Sequence, residues 1–190
     1  MNSMYPKKSM TQAASRNSHD GHDGPHRHDG ASAEASPVLV KAAGRRIQVR
    51  RSSVHGKGVF ALAPIAKGAV VIEYKGEVIA WPEALRRHPH DPADPNHTFY
   101  FHIDDTRVID AKHGGNAARW INHACQPNCE ADDVDGRIFI KALRTLKPGQ
   151  ELFYDYGLII DERYTPKLKK QFECRCGSPK CRGTMLAPKR

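Results

Sequence analysis

From residue 44 onward the hydrophobic positions come in short bursts: RRIQVR, GVFAL, AVVIEYKGEVI, TFYFHI, RVID, RIFIKAL and QELFYDY. Each is rich in Val, Ile, Phe or Tyr and is bounded by glycine, proline or polar residues. Brief β-branched and aromatic runs between turn formers predict many short strands, not strand–helix–strand units. Helical periodicity is confined to WPEALRRH, where Pro82 suits a first helical position, to a turn at GNAARWI, and to DERYTPKLKKQF. The expectation is a mainly β fold with small helices and no internal repeat. No GxGxxG opens a helix, so a dinucleotide-binding reading has no support.

Residues 1–36 break this pattern, since they hold no Val, Ile, Leu, Phe or Trp. Such a segment cannot bury enough apolar area to offset the entropy of ordering it, and it is expected to be a disordered His/Asp/Gly-rich tail. His19, His22, His26 and His28 in SHDGHDGPHRHDG offer transition-metal ligands, although a solvated low-complexity arm is the favoured reading of them. The remaining length suits one domain around one core. No apolar run is long enough to span a membrane and no apolar h-region follows the N-terminus, so the chain is expected to be soluble and intracellular.

The net charge is 30 − 21 = +9, and residues 1–36 contribute four bases against four acids, so the excess belongs to the rest of the chain. A basic surface favours nucleic acid, or proteins that travel with it, as partners.

The chemistry concentrates near the C-terminus. All five cysteines, Cys125, Cys129, Cys174, Cys176 and Cys181, fall in the last 66 residues, and CRCGSPKCRG spaces three of them as C-x-C-x4-C. Tetrahedral zinc needs a fourth ligand, for which Cys125 in RWINHACQPNC is the natural candidate, with Cys129 left as a small core residue. A disulfide pair or free thiols are the alternative, disfavoured in a reducing compartment.

A zinc joining Cys125 to the tail would turn two remote segments into one site, and with that the order of motifs becomes informative. HGKGVFA (55–61), EYKGEVI (73–79), GNAARWINHACQPNC (115–129), GQELFYDYG (149–157) and the cysteine tail together resemble a SET-domain protein lysine methyltransferase with a post-SET zinc segment, nearest to the trithorax-like branch. The resemblance implies a β-clip type fold of short sheets, with the SET domain at 45–160 and the post-SET segment at 161–190. It also implies S-adenosylmethionine and zinc as cofactors, and a lysine-bearing tail, such as a histone tail, as substrate.

The residues suit those roles. A free lysine titrates near 10.4, so the amine must be desolvated and aimed before it can attack a sulfonium methyl, and an aromatic channel does both. Tyr74, Phe99, Phe101, Tyr154 and Tyr156 are candidate walls, with Tyr156 matching the family's catalytic tyrosine, and Tyr154 and Tyr74 beside it. The resemblance places His55, Lys57, Gly58, Phe99, Asn122 and His123 around the cofactor. A hydroxyl at 154 is expected to limit the product to mono- and dimethyl-lysine.

Ala124 stands where the family usually has serine, Trp120 where it has phenylalanine, and KHGGN carries an extra glycine. No cysteine cluster precedes His55, and the insert WPEALRRHPHDPADPNH is short. Two rival readings remain. A Cys125–His123 hydrolase would leave the cysteine tail unexplained. A catalytically weak SET-fold module holding nucleic acid would not need Tyr156 and Asn122.

Overall fold

The computed structural model describes residues 11–12, 45–88 and 98–189. The histidine-rich stretch and most of the expected disordered tail lie outside these, as does part of the insert, residues 89–97. In chain order the strands are β1 (Thr11–Gln12), β2 (Ile47–Arg51), β3 (Lys57–Ala61), β4 (Val70–Tyr74), β5 (Glu77–Ala80), β6 (Tyr100–His102), β7 (Arg107–Asp110), β8 (Asn122–His123), β9 (Cys129–Val134), β10 (Arg137–Ala142), β11 (Phe153–Tyr154) and β12 (Leu158–Ile159). Helices α1 (Trp81–Arg87) and α2 (Pro166–Gln171) and a 3-10 turn at Ala117–Trp120 complete the set. The mainly β expectation holds.

The strands form several small sheets. β10 lies between β4 and β9, both antiparallel to it. Alternation along RIFIKA sends Ile138, Ile140 and Ala142 into the core while Phe139 and Lys141 stay partly exposed. The β9–β10 hairpin turns on Asp135–Gly136, both at positive φ (54° and 78°), the backbone that the right-handed twist of the two strands requires. β2 pairs with β3, β11 runs parallel to β8, and β1 pairs with β12.

The strands flanking the insert form their own sheet, β5–β7–β6, with β7 in the middle, and the insert opens with α1. RVID is buried on both faces because it is sandwiched: Val108 packs with Ile79 and Ala84 of α1, whereas Ile109 joins the main core. Asp110 at its end is fully buried and held by Arg87 of α1 at 3.0 Å. Pro82 opens α1 as the sequence predicts, and Thr165 caps α2 through a bond from the Leu168 N–H. Ile160, Phe172 and Leu186 make a separate small core that fixes the C-terminal segment.

Candidate active site and metal centre

β11 is short because its job is to place two side chains beside β8. Tyr154 pairs with His123 across the parallel ladder, and Phe153 pairs with Asn122. This pairing brings the third and fourth sequence motifs together.

Four of the five candidate channel aromatics form one continuous stack. Tyr74 lies 5.1 Å from Phe101, Phe101 6.2 Å from Tyr154, and Tyr154 5.0 Å from Tyr156, all tilted. The stack ends on His123, edge-on to Tyr156 at 5.3 Å. The Phe99 ring packs edge-on against Trp120 at 5.0 Å, and its backbone oxygen accepts the Tyr74 hydroxyl at 3.0 Å, which ties it to the stack.

The Tyr156 hydroxyl donates to the Ile121 carbonyl at 2.9 Å. Its proton is thereby committed, which leaves the oxygen lone pairs to face a positively charged or C–H partner. Burial pushes the ionisation of Tyr156, and likewise of Tyr74, well above the ordinary phenol range, so both remain neutral.

His123 is buried and its ring looks inward. Nδ1 accepts the Tyr156 backbone N–H at 3.1 Å, so the ring proton sits on Nε2, which faces the Cys125 sulfur at 3.4 Å. Burial lowers its pKa to about 4, with Asp155 pulling upward and Arg182 downward, so the ring is neutral. A Cys–His hydrolase finds no support here, because the thiol that faces His123 belongs to a four-sulfur cluster.

Asn122 spends its side-chain amide on the protein, donating to the carbonyl oxygens of Lys57 (2.9 Å) and His55 (3.4 Å) and to Glu151 Oε1 (2.9 Å). Glu151 also accepts from Ser52 Oγ at 3.1 Å. A Cβ on Gly58 would sit 2.1 Å from Glu151 Oε1, so the close approach that demands glycine is to this carboxylate. Sequence reasoning missed Glu151. Its only signal was its place in GQELFYDYG.

Two cations share the Trp120 ring, Lys57 Nζ at 4.5 Å and the Arg119 guanidinium at 4.9 Å. Arg119 Nε is buried without a partner, and among the described residues no ion pair joins either cation to a carboxylate. The pair fits an incoming carboxylate, which is the chemistry of the amino-acid end of S-adenosylmethionine. His55, Gly56 and Lys57 are exposed beside it.

The C-terminal segment closes the site. Cys125, Cys174, Cys176 and Cys181 bring their sulfurs within 4.8 Å of one another. Cys125 lies 3.7 Å from Cys174 and 3.9 Å from Cys181, close to the roughly 3.8 Å edge of a tetrahedron with bonds near 2.3 Å. Burial raises the Cys125 and Cys174 thiols. Burial alone would raise Cys176 too, but hydrogen bonds from the Cys125 and Ser178 backbones and the neighbouring thiols bring it to about 7. Cys129 lies fully buried in the main core, its thiol pushed up to about 12. Arg182 links this cluster to the channel with a bidentate ion pair to Asp155 at 2.6 and 2.8 Å, between the two tyrosines.

A fold of small sheets carrying a contiguous row of buried aromatic rings, two motifs paired through β8 and β11 and a four-cysteine cluster defines the class, and the SET domain profile matches residues 56–157, so the chain belongs to the SET-domain family. It is 42% identical over 138 residues to a histone-lysine N-methyltransferase, H3 lysine-4 specific, of Kluyveromyces lactis, covering 70% of this chain and 13% of that protein. It is 39% identical over 140 residues to the histone-lysine N-methyltransferase trithorax of Drosophila virilis, and 38% over 148 residues to histone-lysine N-methyltransferase 2B of Homo sapiens. These matches cover 72% and 76% of this chain but 4% and 5% of the relatives, so the chain spans a small part of their length. Among the described residues, no helix is long and apolar enough to cross a membrane.

Proposed function

We propose that the chain is an S-adenosylmethionine-dependent protein-lysine N-methyltransferase that adds one or two methyl groups to a lysine of a histone tail or another basic protein. The observation that carries this reading is the stack Tyr74–Phe101–Tyr154–Tyr156, ending on a buried, neutral Tyr156 whose proton is committed to Ile121 O.

The cofactor, when bound, supplies an electrophilic methyl group. His55, Lys57, Gly58, Phe99, Asn122 and His123 would hold it, with Lys57 and Arg119 facing its carboxylate and His123 contributing through its backbone. The channel strips water from the lysine stem and presents ring faces to the amine, which loses its proton to water before attack. Tyr156 turns lone pairs towards the reacting centre, and Tyr154 narrows the space next to it. Zinc on Cys125, Cys174, Cys176 and Cys181 would clamp the tail so that Arg182 stays on Asp155.

Core histones incubated with the protein and methyl-labelled cofactor test the reading. Label is expected on lysine side chains, and Tyr156→Phe should transfer none while still binding the cofactor. Label absent, or found on another residue type, overturns the proposal.

A further inference from the structure

We infer that the face built from the β2–β3 hairpin and the two turns beside it is a docking surface for duplex DNA. The inference deepens the lysine-methylation reading, on which it rests for the substrate class: a basic protein presented on DNA.

Charge is segregated along the chain. Residues 45–72 hold Arg45, Arg46, Arg50, Arg51, Lys57 and Lys67 and no acid, and residues 138–150 hold Lys141, Arg144 and Lys147 and no acid. The fold brings the two segments together. Ala61 N bonds to Gln150 O, Ile65 bridges Leu146, and Gly149 N bonds to Ala61 O. Arg45, Arg50, Arg51, Lys67, Arg144 and Lys147 are exposed there.

Five arginines elsewhere are neutralised. Arg86, Arg87, Arg107, Arg137 and Arg182 each reach a carboxylate at 2.9 Å or less. On the hairpin face, among the described residues, no ion pair involves Arg45, Arg46, Arg50, Arg51, Lys67, Arg144 or Lys147. Three of the guanidiniums are positioned instead by uncharged groups: Arg45 donates to Ile47 O at 3.2 Å, Arg46 to Val70 O at 3.5 Å, and Arg50 lies 4.4 Å over Phe60. The neighbouring carboxylate, Glu151, is turned to Ser52 and Asn122.

A cluster of fixed, unneutralised cations repels itself, and a polyanion relieves that repulsion while releasing its own counterions. Arginine forks match phosphate oxygens in pairs. The face consists of strands and turns with no helix to enter a groove, so contact is to the backbone and independent of sequence. Around β5–β7–β6 the arginines are matched by Glu77, Glu83, Asp104 and Asp110, so that side offers DNA no comparable excess of positive charge.

Titration of a labelled DNA duplex of random sequence with the full chain at several salt concentrations tests this. The quadruple variant Arg46→Gln, Arg50→Gln, Arg144→Gln, Lys147→Gln should bind at least tenfold more weakly. Its slope of log affinity on log salt should be shallower by about 3.6, at about 0.9 for each of the four phosphates that are no longer neutralised. The equally neutralised control Arg163→Gln, Lys167→Gln, Lys169→Gln, Lys180→Gln should change the slope by less than about 1. The double variant Arg144→Gln, Lys147→Gln, on an exposed turn, should give about half the quadruple's effect and guards against misfolding of the hairpin. Equal losses in the two quadruple variants, no DNA binding by the wild type, or tighter binding to vesicles of anionic lipid than to DNA would overturn the inference. Because the titration reads no methyl transfer, an inactive but DNA-binding chain sinks only the catalytic reading. Unchanged peptide methylation without DNA binding sinks only this one.

Discussion

Glu151 shows how one side chain can organise a site without touching the chemistry. It accepts from Ser52 and from Asn122, while Asn122 also holds the carbonyls of His55 and Lys57. The exposed loop that carries Lys57 is thus tied to β8 through a carboxylate. A hydrogen bond to a charged group contributes about 1.5–3 kcal/mol, and 1.4 kcal/mol is a factor of ten in affinity. Glu151→Ala is therefore expected to weaken cofactor binding about tenfold, read by calorimetry, with the rate at saturating cofactor little changed; unchanged affinity would remove Glu151 from this role. The sequence could not show it, because Glu151 meets Gly58 only after folding brings together residues far apart in the chain. The placing of Tyr154 near Tyr156 and of the three tail thiols together was legible, because side chains two apart in an extended segment can share a face and thiols two to five apart can share an ion, whereas Cys125 was nominated only as the fourth donor such a set needs. What could not be read was where His123 points.

At the level of elements, the apolar bursts marked β2 to β7 and β10, since each carries the β-branched residues that its buried face needs. β9 escaped that reading. CEADDV is polar because it is an edge strand paired on one side only, and its surest sign was the Asp-Gly turn that follows. Helix α1 rests on Arg87, which bonds Glu77, Glu83 and the buried Asp110 at 2.7, 2.7 and 3.0 Å. Removing it takes from the buried Asp110 carboxylate the guanidinium it faces at 3.0 Å, which typically costs about 3 kcal/mol or more. Arg86, 73% exposed, bonds Glu83 alone, and such pairs contribute less than about 1 kcal/mol. Denaturant unfolding should accordingly show Arg87→Leu destabilised by about 3 kcal/mol and Arg86→Leu by less than about 1 kcal/mol. Equal effects would mean that Asp110 does not depend on Arg87.

On the scale of the molecule, the SET core and the C-terminal segment meet at the four-sulfur cluster, at the Arg182–Asp155 pair, where Ser178 donates to Gln126, and where Leu158 pairs with Leu186 and Ala187. If zinc closes the cluster, purified protein should carry about one ion per chain. Cys181→Ser should lose it together with cofactor binding, while Cys129→Ser keeps it; metal analysis giving the reverse pattern would reassign the ligands. The segment's own small core of Ile160, Phe172 and Leu186 should then loosen with the metal. The aromatic row beside the four-sulfur cluster is proposed to select the product, and the extent of methyl transfer reads it most directly. If the hydroxyl of Tyr154, buried and 5.0 Å from Tyr156, takes the room a third methyl needs, the cost is on the order of 1 kcal/mol or more, enough to slow the last transfer about fivefold or more. Mass spectrometry of a lysine peptide methylated to completion should find mono- and dimethyl-lysine from the wild type, trimethyl-lysine from Tyr154→Phe, and unmodified lysine from Tyr156→Phe. Abundant trimethyl-lysine from the wild type, or methylated lysine from Tyr156→Phe, would contradict the account.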